Sequence, residues 1–80
     1  MRILFVEDDH RLCALLVPTL LEQRYTVDVA RHPQKALTLL ANAAYDLLLL
    51  DVVLPEIDGI TLCRQLRELG SDIPILLLTA

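Results

Sequence analysis

The sequence predicts an α/β domain in which a mainly parallel sheet is wound with helices on both faces. Two observations lead there. Short apolar runs alternate with longer stretches of helical period, so strands and helices take turns along the chain. One run, Leu47 to Leu50, is apolar without interruption, as a strand covered on both faces requires. The 80 residues make one small domain, 1–80, and not two.

Ile3 to Val6 is short, β-branched and aromatic, and reads as a buried strand. From His10 to Gln23, Leu12, Leu15, Leu16 and Leu20 recur at helical spacing and make one inward face. Asp9 precedes that helix and can cap its free N–H groups. Pro18 removes the bond to Ala14, so a kink or local break is expected there. Thr26 to Ala30 alternates Val27 and Val29 with Asp28, the pattern of an edge strand with one wet face.

Pro33 suits the first turn of a second helix, to about Asn42, with Ala36, Leu37 and Leu40 inward. The apolar run to Leu50 stops at Asp51. The segment Val52 to Asp58 contains Pro55, leads to Gly59 and reads as a loop. A third helix, about Ile60 to Leu69, turns Leu62, Leu66 and Leu69 to one side, and Gly70 ends it. Pro74 introduces a last strand, Ile75 to Leu78.

Composition excludes several functions. A net charge of -4 with only seven Lys and Arg lacks the basic footprint of a nucleic-acid binder. The apolar runs are too short to span a bilayer, so no membrane partner is expected. The first apolar run ends in Glu7, Asp8 and Asp9, unlike a secretory signal. Cys13 and Cys63 fall inside apolar helical patterns and read as buried free thiols, with the cytoplasm as compartment. His10 and His32 have no zinc spacing, and Gly59 and Gly70 make no phosphate loop for a dinucleotide.

In such sheets ligands sit beyond the carboxyl ends of the strands, where strand order reverses. Glu7, Asp8 and Asp9 follow the first strand, Asp51 ends the third, and Thr79 follows the fourth. Carboxylates about 4–5 Å apart repel by roughly 3–4 kcal/mol per pair at an effective dielectric near 20. A cluster of them therefore calls for a cation or a raised pKa. A hard divalent ion fits oxygen ligands, and Mg²⁺ is the natural choice with one or two carboxylates. A carboxylate beside such an ion can attack phosphorus, and Thr79 can donate a hydroxyl bond to the new phosphoryl group. Taken alone, the acidic run reads equally well as a solvated helix start, and Asp9 and Asp58 read as caps. Asp28, Asp46, Glu56 and Asp72 read as surface or turn residues, and Lys35 as solvated.

Four stretches carry a resemblance: Ile3 to Asp9, Leu47 to Pro55, Asp58 with Gly59, and Pro74 to Ala80. In this order and spacing they resemble the receiver domain of two-component response regulators. The resemblance implies a flavodoxin-like fold with strand order 2-1-3-4-5, of which four strands are present. It implies that Asp51 is the phosphoacceptor, that Glu7 and Asp8 hold Mg²⁺ and that Val53 adds a backbone carbonyl. It implies that Thr79 is the switch hydroxyl and that the Ala80 backbone N–H contacts the phosphoryl group. The donor would be a histidine kinase, followed by slow hydrolysis. The ending Leu-Leu-Leu-Thr-Ala is similar to receivers fused to winged-helix DNA-binding domains, whose output is transcription.

The 80 residues match only the N-terminal part of such a receiver. The fourth helix, the fifth strand with its phosphate-binding lysine and the fifth helix have no counterpart. An alternative is therefore a receiver-like fragment that acts by protein contact without phosphorylation. Leu76, Leu77 and Leu78 make a last strand apolar on both faces, which predicts self-association through its edge. An aspartate-nucleophile phosphatase is disfavoured, because Val53 stands where a second acid is needed.

Overall fold

The computed structural model describes residues 1–79. The elements are β1 (Arg2–Val6), α1 (His10–Glu22), β2 (Thr26–Ala30), α2 (Pro33–Asn42), β3 (Leu47–Asp51), α3 (Gly59–Glu68) and β4 (Ile75–Leu78). Every boundary lies within a residue or so of the sequence expectation. The four strands form one parallel sheet in the order β2-β1-β3-β4. The chain steps from β1 outward to β2, then returns to the other side of β1 for β3 and β4. Strand order thus reverses between β1 and β3.

Strand alternation divides the core in two. Ile3, Phe5 and Leu49 pack under α1 with Cys13. Leu4, Val6, Leu48 and Leu50 pack under α2 and α3 with Ala36, Leu62 and Leu66. Burying each such aliphatic side chain is worth about 1.5–3 kcal/mol, so β1 and β3 are the most firmly held strands. β2 is an edge strand, as its alternation predicts.

The helices correct several expectations. Leu15 is 69% exposed and Leu69 75%. The buried side of α1 is set by Leu12, Cys13, Leu16, Val17 and Leu20. Leu15 falls about 130° from the middle of that stripe at about 100° per residue. Leu69 occupies the C-cap of α3, where the turn has left the sheet. Cys13 is buried, but Cys63 is only half-buried; both thiols are free. Pro18 does not break α1, which runs on to Glu22. Pro18 and Ala14 are both exposed, so water can serve the carbonyl that loses its donor.

Caps form where expected. The Asp9 side chain accepts from the Arg11 amide at 2.8 Å and the Asp58 side chain from the Thr61 amide at 2.7 Å. Pro33 stands in the first turn of α2. Gly70, at φ +89°, lets the chain turn out of α3 while the Ser71 amide returns to the Leu66 carbonyl at 3.0 Å. Asp28 and Asp46 are more than surface residues. Asp28 accepts from the Tyr45 hydroxyl at 2.6 Å and from Arg2 at 3.0 Å, and Asp46 accepts the Arg2 amide at 2.7 Å.

Candidate metal centre

β1 and β3 are neighbours, so their carboxyl ends deliver Glu7 and Asp51 to the point where strand order reverses. Glu7 continues the inward alternation of Ile3 and Phe5 and is 1% exposed. Its amide donates to the Ala30 carbonyl at 2.9 Å, tying it to the end of β2 as well. Its Oε2 accepts from the amides of Asp8 at 3.0 Å and Asp9 at 3.4 Å. Burial, and then the Asp51 carboxyl beside it, push Glu7 up to about 7, with the Asp9 amide pulling part of the way back.

Asp8 is exposed and Asp51 is half-buried. Glu7, Asp8 and Asp51 each offer a carboxylate oxygen, and these oxygens lie within 4.8 Å of one another. Asp51 is oriented by the Val53 amide, which donates to its Oδ1 at 3.1 Å. The next residue, Val52, is held through both its N–H and its C=O. The Val52 amide reaches the Leu78 carbonyl at 3.0 Å, and the Gly59 amide reaches the Val52 carbonyl at 2.7 Å.

A cleft of ≈ 670 Å³ opens over these acids, bordered by Arg11 and Leu12 on one side and by Val53, Leu78 and Thr79 on the other. The structure therefore gathers Glu7, Asp8, Asp51, Val53 and Thr79 around one space. Ala80, expected to contribute a backbone N–H, lies outside the described residues. Asp9 borders the cleft while capping α1. Lys35 borders a different hollow with Cys13, Arg31 and His32. Arg11 was given no role by its sequence position, yet it is the cation at the cleft among the described residues. The only hint was its place in the first helical turn after an acidic run.

Three hard oxygens in one cleft, one of them on a buried and desolvated acid, make a donor set that fits Mg²⁺. The sequence matches the family described as "Response regulator receiver domain" over residues 3–80. This chain belongs to that family.

Among curated proteins, the receiver is 46% identical over 79 residues to the response regulator MprA of Mycobacterium sp. (strain KMS), covering 99% of this chain and 34% of that protein. It is 45% identical over 80 residues to protein RcaC of Microchaete diplosiphon, covering all of this chain and 12% of the relative. The chain thus spans about a third of the one relative and about an eighth of the other. Among solved structures, it resembles the response regulator TrrA of Thermotoga maritima in complex with Mg²⁺-BeF, with TM-score 0.91 and 37% identity, covering 99% of this chain and 69% of the other. The BeF3-activated N-terminal receiver domain of Klebsiella pneumoniae RstA gives TM-score 0.91 and 40% identity, covering 99% and 67%. No helix among the described residues is long and apolar enough to cross a membrane.

Proposed function

We propose that this receiver is the phosphoacceptor module of a two-component relay, taking a phosphoryl group from a histidine kinase onto Asp51 and passing the change to an output, transcription foremost. The observation that carries the reading is the meeting of Asp51 with Glu7 and Asp8 in one cleft bordered by Thr79. The similar receivers solved with Mg²⁺-BeF or activated by BeF3 support it.

In this reading an Asp51 carboxylate oxygen forms a bond to phosphorus while the P–N bond of a phosphohistidine breaks, its electron pair leaving with the imidazole. The Val53 amide keeps the carboxylate aimed by holding Oδ1. Glu7, Asp8, Asp51 and the Val53 carbonyl hold Mg²⁺, which when bound neutralises carboxylate and phosphoryl oxygens. The Thr79 hydroxyl, and the Ala80 N–H expected beside it, donate to the transferred group. Slow hydrolysis resets the site. The working compartment is the cytoplasm, without direct contact to nucleic acid or membrane. The domain, 1–80, is the part of a receiver that carries the chemistry.

Incubation with acetyl phosphate and Mg²⁺ tests this. The intact mass should rise by one phosphoryl group, and Asp51→Asn should take up none. Labelling that persists in Asp51→Asn would reject the assignment.

A second reading, action by protein contact alone, is favoured by one feature. Among the described residues Arg11 is the cation at the cleft, and Lys35 borders a different hollow. Mg²⁺ binding without any labelling would favour that reading. A contact partner that either reading allows is a second copy, met through the outer edge of β4, where Leu76 is 54% exposed and Leu77 38%.

A further inference from the structure

Gly59 stands out in the sequence as a turn residue, and no step of the proposed reaction uses it. It opens α3 and is buried. Its amide donates to the Val52 carbonyl at 2.7 Å, and Asp58 just before it caps the same helix. A Cβ on Gly59 would fall far inside contact distance of the Asp51 carbonyl oxygen. It would also lie 2.9 Å from the Asp51 carbonyl carbon and 3.0 Å from the Val52 Cα.

All three neighbours are backbone. They belong to a strand end that is bonded to β4 through Val52, so they cannot yield as the tip of a flexible side chain would. Gly59 does not lie in the left-handed region; the glycine there is Gly70, at φ +89° with nothing within 4 Å of its Cβ position. Gly70 serves a turn. Gly59 serves a close approach.

We propose that Gly59 is a positioning residue for Asp51. Its bare Cα lets the first turn of α3 close onto the Asp51–Val52 peptide. That closure sets the Asp51 carboxylate and the Val53 amide and carbonyl at the cleft. The inference rests on the reading of Asp51 as phosphoacceptor and metal ligand. A methyl group forces the strand end or the loop to shift, and a displacement near 1 Å at a reacting group can cost about a hundredfold.

The experiment compares wild type, Gly59→Ala and Gly70→Ala in the 80-residue chain. Gly70→Ala strains the backbone at the other end of α3 without a clash, so it controls for lost stability. Mg²⁺ affinity is measured by calorimetry at a temperature where circular dichroism shows each chain folded. Amide spectra are recorded without metal. Gly59→Ala should weaken Mg²⁺ binding by about tenfold or more and move the Val53 amide resonance. Gly70→Ala should melt lower yet keep Mg²⁺ affinity within about twofold and leave Val53 in place.

A folded Gly59→Ala chain with wild-type Mg²⁺ affinity and an unmoved Val53 amide overturns the inference. Should Gly59→Ala fail to fold, hydrogen exchange in wild type decides. Mg²⁺ should slow the Gly59 amide more than the Gly70 amide, and equal slowing counts against the proposal. A wild type that neither binds Mg²⁺ nor takes up phosphoryl would sink the functional reading instead. The metal-free Val53 comparison would still judge the positioning role.

Discussion

Glu7 and Asp51 come from strands that adjoin in the sheet but lie far apart in the chain, and they bring carboxylate oxygens within 4.8 Å of each other. Glu7 is also sealed from solvent at 1% exposure. A buried acid beside a second acid keeps its proton more readily than one in water. Metal and proton therefore compete for the same oxygens, and the predictions at this site follow from that competition.

The metal-free fold should lose stability as pH rises. Glu7 is pushed from 4.5 up to about 7 in the folded chain. The folded state thus binds the proton more tightly than the unfolded state. Its contribution is fully present below about pH 4.5 and is lost as pH rises through about 7. Asp28 and Asp58, held below the usual carboxylate range by hydrogen bonds, act in the opposite sense but only in more acid solution. Thermal melts in EDTA should therefore show Tm falling between about pH 5 and about pH 8, with Mg²⁺ restoring it at the alkaline end. A metal-free Tm that holds level or climbs across that interval would contradict the buried-acid description.

Glu7→Gln separates the metal role from the stability cost. Glutamine keeps the shape and still offers an oxygen to the Asp8 amide, but carries no charge into the core. At pH 8 without metal the variant should melt higher, by a gain on the order of 1 kcal/mol, or about 4–8 °C for a domain of this size. With Mg²⁺ the order should reverse, since the variant loses a carboxylate donor. Calorimetry in both buffers checks the crossing. A variant less stable than wild type in both would mean that Glu7 is a structural acid only.

Tyr45→Phe should weaken the fold and spare the cleft. The Tyr45 hydroxyl gives Asp28 a 2.6 Å hydrogen bond, while the Arg2 guanidinium lies 4.8 Å from the ring centroid. The Tyr45 bond is the main reason Asp28 is held low, with Arg2 second. Its loss should cost about 1 kcal/mol, a modest figure because Asp28 and Arg2 are partly exposed. Asp28 gives stability above about pH 3.8 that is lost as pH falls, so the variant should also show a shallower acid limb. Chemical denaturation at pH 7 and pH 3 measures both, and unchanged Mg²⁺ affinity is the internal control.

The succession of elements and the acids at strand ends were legible because they depend on period and on position in the chain, whereas the strand order β2-β1-β3-β4 was implied by the family resemblance. Leu47 to Leu50 announces a central strand, and β3 lies between β1 and β4. Residue-level burial was less legible where a neighbour decides it. Leu15 stands three residues from Leu12 yet points about 130° from the middle of the buried stripe, and Leu69 falls in the C-cap of α3, so both stay exposed. Asp28 looks like the wet face of an edge strand until the turn before β3 brings Tyr45 over it. Glu7, Asp8 and Asp9 are alike in sequence, but only Glu7 is still tied to the sheet, through its amide to the Ala30 carbonyl, and buried. Gly59 reads as a turn, because its fit against the Asp51 peptide depends on where α3 lands.

The outer edge of β4 supports the last prediction. Ile75 to Leu78 carries no charge, no proline and no bulge that would discourage pairing. Its hydrogen-bonding partner is β3 on one side, and among the described residues no strand lies on the other. Leu76 faces the α1 side and borders an apolar groove of ≈ 380 Å³ with Leu16, Leu20 and Tyr25. An antiparallel meeting of two such edges about a twofold axis is self-complementary and would cover both groove and edge. At micromolar concentrations light scattering should report a dimer or larger species, with Tm rising with concentration. Leu76→Lys places a charge at a half-open position, so it should cost the fold within about 1 kcal/mol yet return the chain to monomer. A wild-type chain that scatters as a uniform monomer and unfolds cooperatively at every concentration would show that exposed Leu76 recruits nothing.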